Sequence, residues 1–164
     1  MVDWQLYKSK PLGAVLTRPS TEQDRLIERS FTLPRSVKNL FISERTGAYI
    51  IGLAKAYELS TDHAPVIAFI VLRVGFGDNI LAQLPSLLST ELKLPNDKAQ
   101  KMAREIEEDL FGPVRKELEE YWRKNPPSSR QSGTLARQGS EGGVRNVLNL
   151  KEQKQPPMPP PMPK

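Results

Sequence analysis

The chain has 164 residues, 15 of them proline and none cysteine, with 24 Lys+Arg against 19 Asp+Glu. Without cysteine it can form neither disulfides nor thiolate metal sites, and it has no thiol nucleophile. Residues 1–124 hold 18 basic and 17 acidic side chains while residues 125–164 hold 6 and 2, so a body of +1 carries a tail of +4 and lacks the basic face expected of a nucleic-acid-binding domain.

Residues 1–19 mix Trp4 and Tyr7 with Pro11, Gly13 and Pro19, which punctuate regular structure, and read as an irregular arm docking Trp4 or Tyr7 on the body. The start, Met-Val-Asp-Trp, lacks the basic and apolar run of a secretory signal, and a cytoplasmic location is expected. Ser20-Thr21-Glu22-Gln23 has capping-box spacing and predicts a short helix over 21–30. Residues 1–30 are thus an N-terminal arm, 31–124 the helical domain and 125–164 the tail.

The body opens at Leu33-Pro34, with proline placed where its missing amide costs no hydrogen bond and Val37, Leu40 and Phe41 on one face. Ser43 caps a helix bearing Ile50, Leu53, Ala54 and Tyr57 at helical spacing. Ser60-Thr61-Asp62 precedes Ala64-Pro65, after which Val66 to Val74 is apolar nearly all round, as in the central helix of a bundle. With Arg73 inside it, this stretch falls short of the roughly 18 apolar residues of a membrane span. Gly75-Phe76-Gly77 ends it.

Asp78 is placed to cap a segment of six leucine and isoleucine positions ending at Leu92, which Pro85 divides into two short pieces. Asn96 caps an amphipathic helix with Ala99, Met102, Ala103, Ile106 and Leu110 on one side. The stripe resumes in phase past Gly112-Pro113 at Val114, Leu118, Tyr121 and Trp122, so the proline bends this element and a kinked helix pair is expected. No segment of the body alternates with the period of a strand, and no Asn-Gly or Asp-Gly hairpin turn occurs. The fold class is therefore all-α, a compact bundle of about five or six short helices.

Beyond Asn125-Pro126-Pro127 the tail contains no aromatic residue, and its Ser, Gly, Gln and Arg bury too little apolar area to offset the entropy of ordering. It is read as disordered, with two landmarks. Val144, Val147, Leu148 and Leu150 form an apolar island able to make a helical turn against a groove. Pro156, Pro157, Pro159, Pro160, Pro161 and Pro163 favour polyproline II, which docks into aromatic-lined grooves.

Chemistry-bearing residues are few. His63, the only histidine, has no nucleophile and orienting partner at suitable spacing and reads as a cap or surface residue. Glu105, Glu107, Glu108 and Asp109 read as the wet face of an amphipathic helix beside Lys101 and Arg104. Gly75-Phe76-Gly77-Asp78 lacks the further glycines and lysine of a phosphate loop. Arg115, Lys116, Arg123 and Lys124 are candidate phosphate contacts, although cations there also complement the helix dipole.

Leu33-Pro34-Arg35-Ser36-Val37, Leu59 with Asp62, the glycines after the third helix, and Ala99 to Leu118 with Ile106 and Phe111-Gly112-Pro113-Val114-Arg115 occur in a familiar order. Over residues 33–121 the chain resembles a small, uncharacterised helical domain of reduced-genome bacteria of the candidate phyla. The resemblance implies a helical fold and supplies no site residues; Pro85 departs from it. The expected function is that of a non-enzymatic interaction or adaptor protein, without catalytic residues, cofactor or metal, whose body and tail bind protein partners. The alternative is association with nucleic acid or ribosomes through the basic tail.

Overall fold

The computed structural model describes residues 3–126. The chain divides into two units after Pro127. The disorder expected of the tail, and the island and proline sites within it, lie outside the described residues.

Every regular element described is helical. In chain order they are α1 (Trp4–Lys8), α2 (Ser20–Ser30), α3 (Arg35–Ile42), α4 (Glu44–Ala56), α5 (Ala64–Gly75), α6 (Leu84–Leu92), α7 (Asn96–Glu105) and α8 (Arg115–Lys124). Short 3-10 turns lie at Gly13–Thr17, Thr61–His63, Leu81–Gln83 and Gly112–Val114, and Ile106–Phe111 is π-helical. None of these helices is long and apolar enough to cross a membrane.

The apolar run of α5 makes it the centre of the bundle. Ile67, Ala68, Phe69, Ile70, Val71, Leu72 and Val74 are all buried, and α5 contacts α4, α6 and the 3-10 turn at Gly13–Thr17. Each large side chain so buried contributes about 1.5–3 kcal/mol of transfer free energy. Gly75 lies against Phe41, where a Cβ would overlap the ring, so α3 and α5 approach more closely than any larger residue permits. Gly77 then turns the chain at φ 77°, a backbone conformation natural to glycine, with Trp122 packed over it.

Three local features differ from the sequence expectations. The stretch read as an irregular arm carries α1 and a 3-10 turn and is tied down: Ala14 and Val15 join the core, Leu12 N–H donates to the Phe41 carbonyl, and the Gln5 amide to the Thr61 carbonyl at 2.6 Å. Trp4, 62% exposed, packs edge to face against Tyr7 instead of docking on the body. The segment after Asp78 comes in two pieces as expected, the 3-10 turn Leu81–Gln83 and α6, with Pro85 in the first turn of α6, where an amide would have no partner anyway. Several caps also move: Pro19 and Pro95 hold the N-cap positions expected for Ser20 and Asn96, while Asp78 accepts from Arg29 at 2.8 Å. Ser43 caps α4 as expected, its Oγ accepting from the Arg45 N–H at 3.2 Å.

The last element runs without a gap past Pro113, by way of the π turn and the 3-10 turn Gly112–Val114. Ile106, Leu110, Val114 and Leu118 are spaced by four residues, and in a regular α-helix each such step would swing the side chain about 40° off the face. The wider turn at Ile106–Phe111 unwinds part of that drift, and all four residues stay buried. It also relieves the position four residues before Pro113, where the ring would otherwise meet a carbonyl.

Candidate cleft between α3, α4 and the π turn

Where the π turn passes the start of α4, the surface opens into a cleft of about 620 Å³. One wall comes from α3, whose Ser36, Asn39 and Leu40 fall on one face at spacings of three and four. Across the tight turn capped by Ser43, α4 continues that wall with Arg45, Thr46 and Tyr49. Asp109, Leu110, Pro113 and Val114 form the facing wall. Leu40, Leu110 and Val114 give the cleft an apolar floor, and its rim is polar. That combination, at this size, is typical of ligand-binding hollows.

A hydrogen bond joins the two walls. Tyr49 Oη donates to Asp109 Oδ2 at 3.0 Å. One turn earlier in the acidic run, Tyr57 Oη donates to Glu105 Oε1, also at 3.0 Å. Tyr49 lies on α4 and Tyr57 immediately follows its last residue, while both carboxylates lie on the α7–π run, so two bonds fasten these elements. Burial, reinforced by the Asp109 bond, pushes the Tyr49 hydroxyl well above its usual range. Burial, reinforced by Glu105, pushes Tyr57 up to about 12. Neither phenol ionises near neutral pH, so both remain hydrogen-bond donors there.

The acidic run is thus more than a wet face. Glu108 and Asp109 are both exposed, but Glu105 and Asp109 accept hydrogen bonds from these tyrosines and Glu107 accepts from Arg115 at 3.0 Å. Arg115 is also bound by Glu119 at 3.0 Å, and Lys124 by Glu120 at 2.8 Å. The Lys124 bond holds the Glu120 carboxyl below the usual range. Of the four candidate phosphate contacts, Arg115 and Lys124 are therefore engaged within the protein, and Lys116 and Arg123 lie exposed on α8. A shallower hollow of about 320 Å³ beside Lys124 is lined by Glu117, Glu120 and Tyr121 among others, and these carboxylates do not suit an anion.

His63 Nδ1 lies 2.8 Å from Ser60 Oγ within the 3-10 turn preceding α5, in keeping with a local turn contact. Asp78 forms an ion pair with Arg29, which also donates to the Phe76 carbonyl at 3.2 Å and stacks on the Phe76 ring. The Gly75–Asp78 segment is therefore a fastened helix end. Among the described residues no group of three or more His, Asp or Glu side chains is arranged to hold a metal ion. The partner-binding candidates of the tail, Val144 to Leu150 and Pro156 to Pro163, lie outside the described residues.

Sequence reasoning missed the cleft. Asn39, Arg45, Tyr49 and Asp109 come from segments some sixty positions apart, and only the i, i+4 spacing of Arg45 and Tyr49 was visible beforehand. No protein-family model, no curated protein and no solved structure matches this chain.

Proposed function

We propose that this chain is a non-enzymatic interaction or adaptor protein whose helical body receives a protein partner in the α3–α4–π cleft. The observation that supports the reading is the cleft itself: a polar rim over an apolar floor, with its walls held in register by the Tyr49–Asp109 bond. In this reading the basic tail, through its apolar island and terminal prolines, recruits a second partner. Membership of residues 33–121 in the small helical domain they resemble is part of the same proposal.

Affinity capture separates the parts. The full chain is compared with Asn39→Trp, which places an indole in the cleft from an exposed position, and with a chain ending at Lys124. Asn39→Trp should remove one set of partners and truncation another; identical sets in all three would sink the reading. Capture that fades steeply with salt and is abolished by nuclease would favour the nucleic-acid alternative, since counterion release governs such binding.

A further inference from the structure

Among the described residues the most exposed large apolar side chain is Phe31, at 72%, and it stands at the corner where α2 gives way to α3. One turn back on α2, Ile27 is exposed on the same face, with the exposed carboxylates Asp24 and Glu28 beside it at helical spacing. Beyond the corner the Lys38 ammonium lies over the Phe31 ring, 5.4 Å from its centre. Arg35 and Ile42, three residues before Lys38 and four after it on α3, are exposed as well. The chain around Phe31 is thus acidic on one arm and basic on the other, with an exposed isoleucine on each. Among the described residues none of these four charged groups joins an ion pair. Arg29 of α2 is taken by Asp78, and Arg25 lies about 120° round the helix from Phe31.

We infer that this corner is the contact face of a symmetric dimer, covered by a second copy of this chain. A two-fold axis beside Phe31 packs the two phenyl rings together and sets α2 of one copy against α3 of the other. Asp24 and Glu28 then meet Arg35 and Lys38 of the second copy, and symmetry repeats the contact. Ile27 covers Ile42 of the second copy in the same way. A face of one sign would repel its own copy, whereas here the two signs fall on opposite sides of Phe31 and match under the two-fold. A ligand of one sign, such as a nucleic-acid strand, would suit α3 and be opposed by α2. None of these residues lines the cleft, so the inference stands apart from the partner site proposed above.

The test is sedimentation velocity on the full chain across a hundredfold range of concentration, over which the parent should pass from monomer to dimer. Glu28→Lys and Lys38→Glu should each weaken self-association at least tenfold, because like charges then face each other in both halves of the interface, while each variant melts close to the parent. Mixing the two variants should restore the dimer, since every contact between them again joins opposite charges. Lys38 also stacks on Phe31, so Arg35→Glu replaces Lys38→Glu if the latter melts early. A parent that stays monomeric throughout, single reversals that leave association unchanged, or a mixture no more dimeric than its components would each overturn the inference.

Discussion

Helix α5 and the run from Asn96 to Lys124 both close the core, but they meet water in opposite ways. On α5 nearly every position from Ala64 to Gly75 is buried, and only Pro65, Val66 and Arg73 reach partial exposure. The run through α7, the π turn and α8 buries one stripe and gives its other face to carboxylates and cations. Burial on all sides leaves α5 no surface on which to bind anything, so its sequence answers to packing alone. The run has a free face, and there Asp109 and Glu105 reach across to α4 while the π turn helps to wall a cleft. Close packing and polar surface are thus assigned to different helices.

Substitutions along the two regions should separate accordingly. Ile70→Asp, at a site 3% exposed, sets an unpaired charge at the centre of the bundle and should cost more than about 4 kcal/mol, abolishing the cooperative thermal transition. A variant that melts within a few degrees of the parent would remove α5 from the centre. Leu118→Ala empties a 1% exposed position on the buried stripe and should cost about 2–5 kcal/mol in denaturant unfolding. Gly75→Ala, which drives a methyl group into Phe41, should cost about 1–3 kcal/mol; a neutral result would mean that α3 and α5 separate freely.

On the polar face the effects should be smaller and dependent on pH. Tyr49→Phe deletes a single hydrogen bond and should cost about 0.5–1.5 kcal/mol. The Tyr57 hydroxyl is raised from 10.0 to about 12 in the folded protein, and Tyr49 is raised as well. A raised phenol contributes stability in full below pH 10, and that contribution is lost as pH climbs through the folded value. The parent should therefore lose stability between pH 10 and about 12, and the Tyr49→Phe/Tyr57→Phe pair should lose less over the same window. Parallel curves would mean that the tyrosine–carboxylate bonds do not form in solution. Smallest of all, Lys124→Ala removes an exposed ion pair and should leave the melting temperature unchanged within error.

The difference between the regions also explains what could be read beforehand. The all-round apolarity of Val66 to Val74 and the stripe from Ala99 to Trp122 report burial directly, so the central helix and the continuous final element were legible. Pro85 marked the division of its segment but not the lengths of the two pieces, since a proline in the first turn of a helix and one that ends a helix are the same letter. The N-terminal arm escaped because its order rests on hydrogen bonds to distant backbone, such as Gln5 to Thr61, that leave no periodic trace. The cleft was hidden for the same reason. Its rim joins residues remote in sequence, and the acidic run showed only that it faced outward, not that two of its members would meet Tyr49 and Tyr57.

The proposal that this protein recognises its partner through the cleft is most directly tested by site-specific photo-crosslinking in the full chain. A photoreactive side chain is placed either at Asn39 in the cleft or at Lys101, exposed on α7 and outside it. Adducts with another protein should form from position 39, disappear on Arg45→Glu and be absent from position 101. Equal adducts from both positions, or adducts at position 39 that survive Arg45→Glu, would contradict the account.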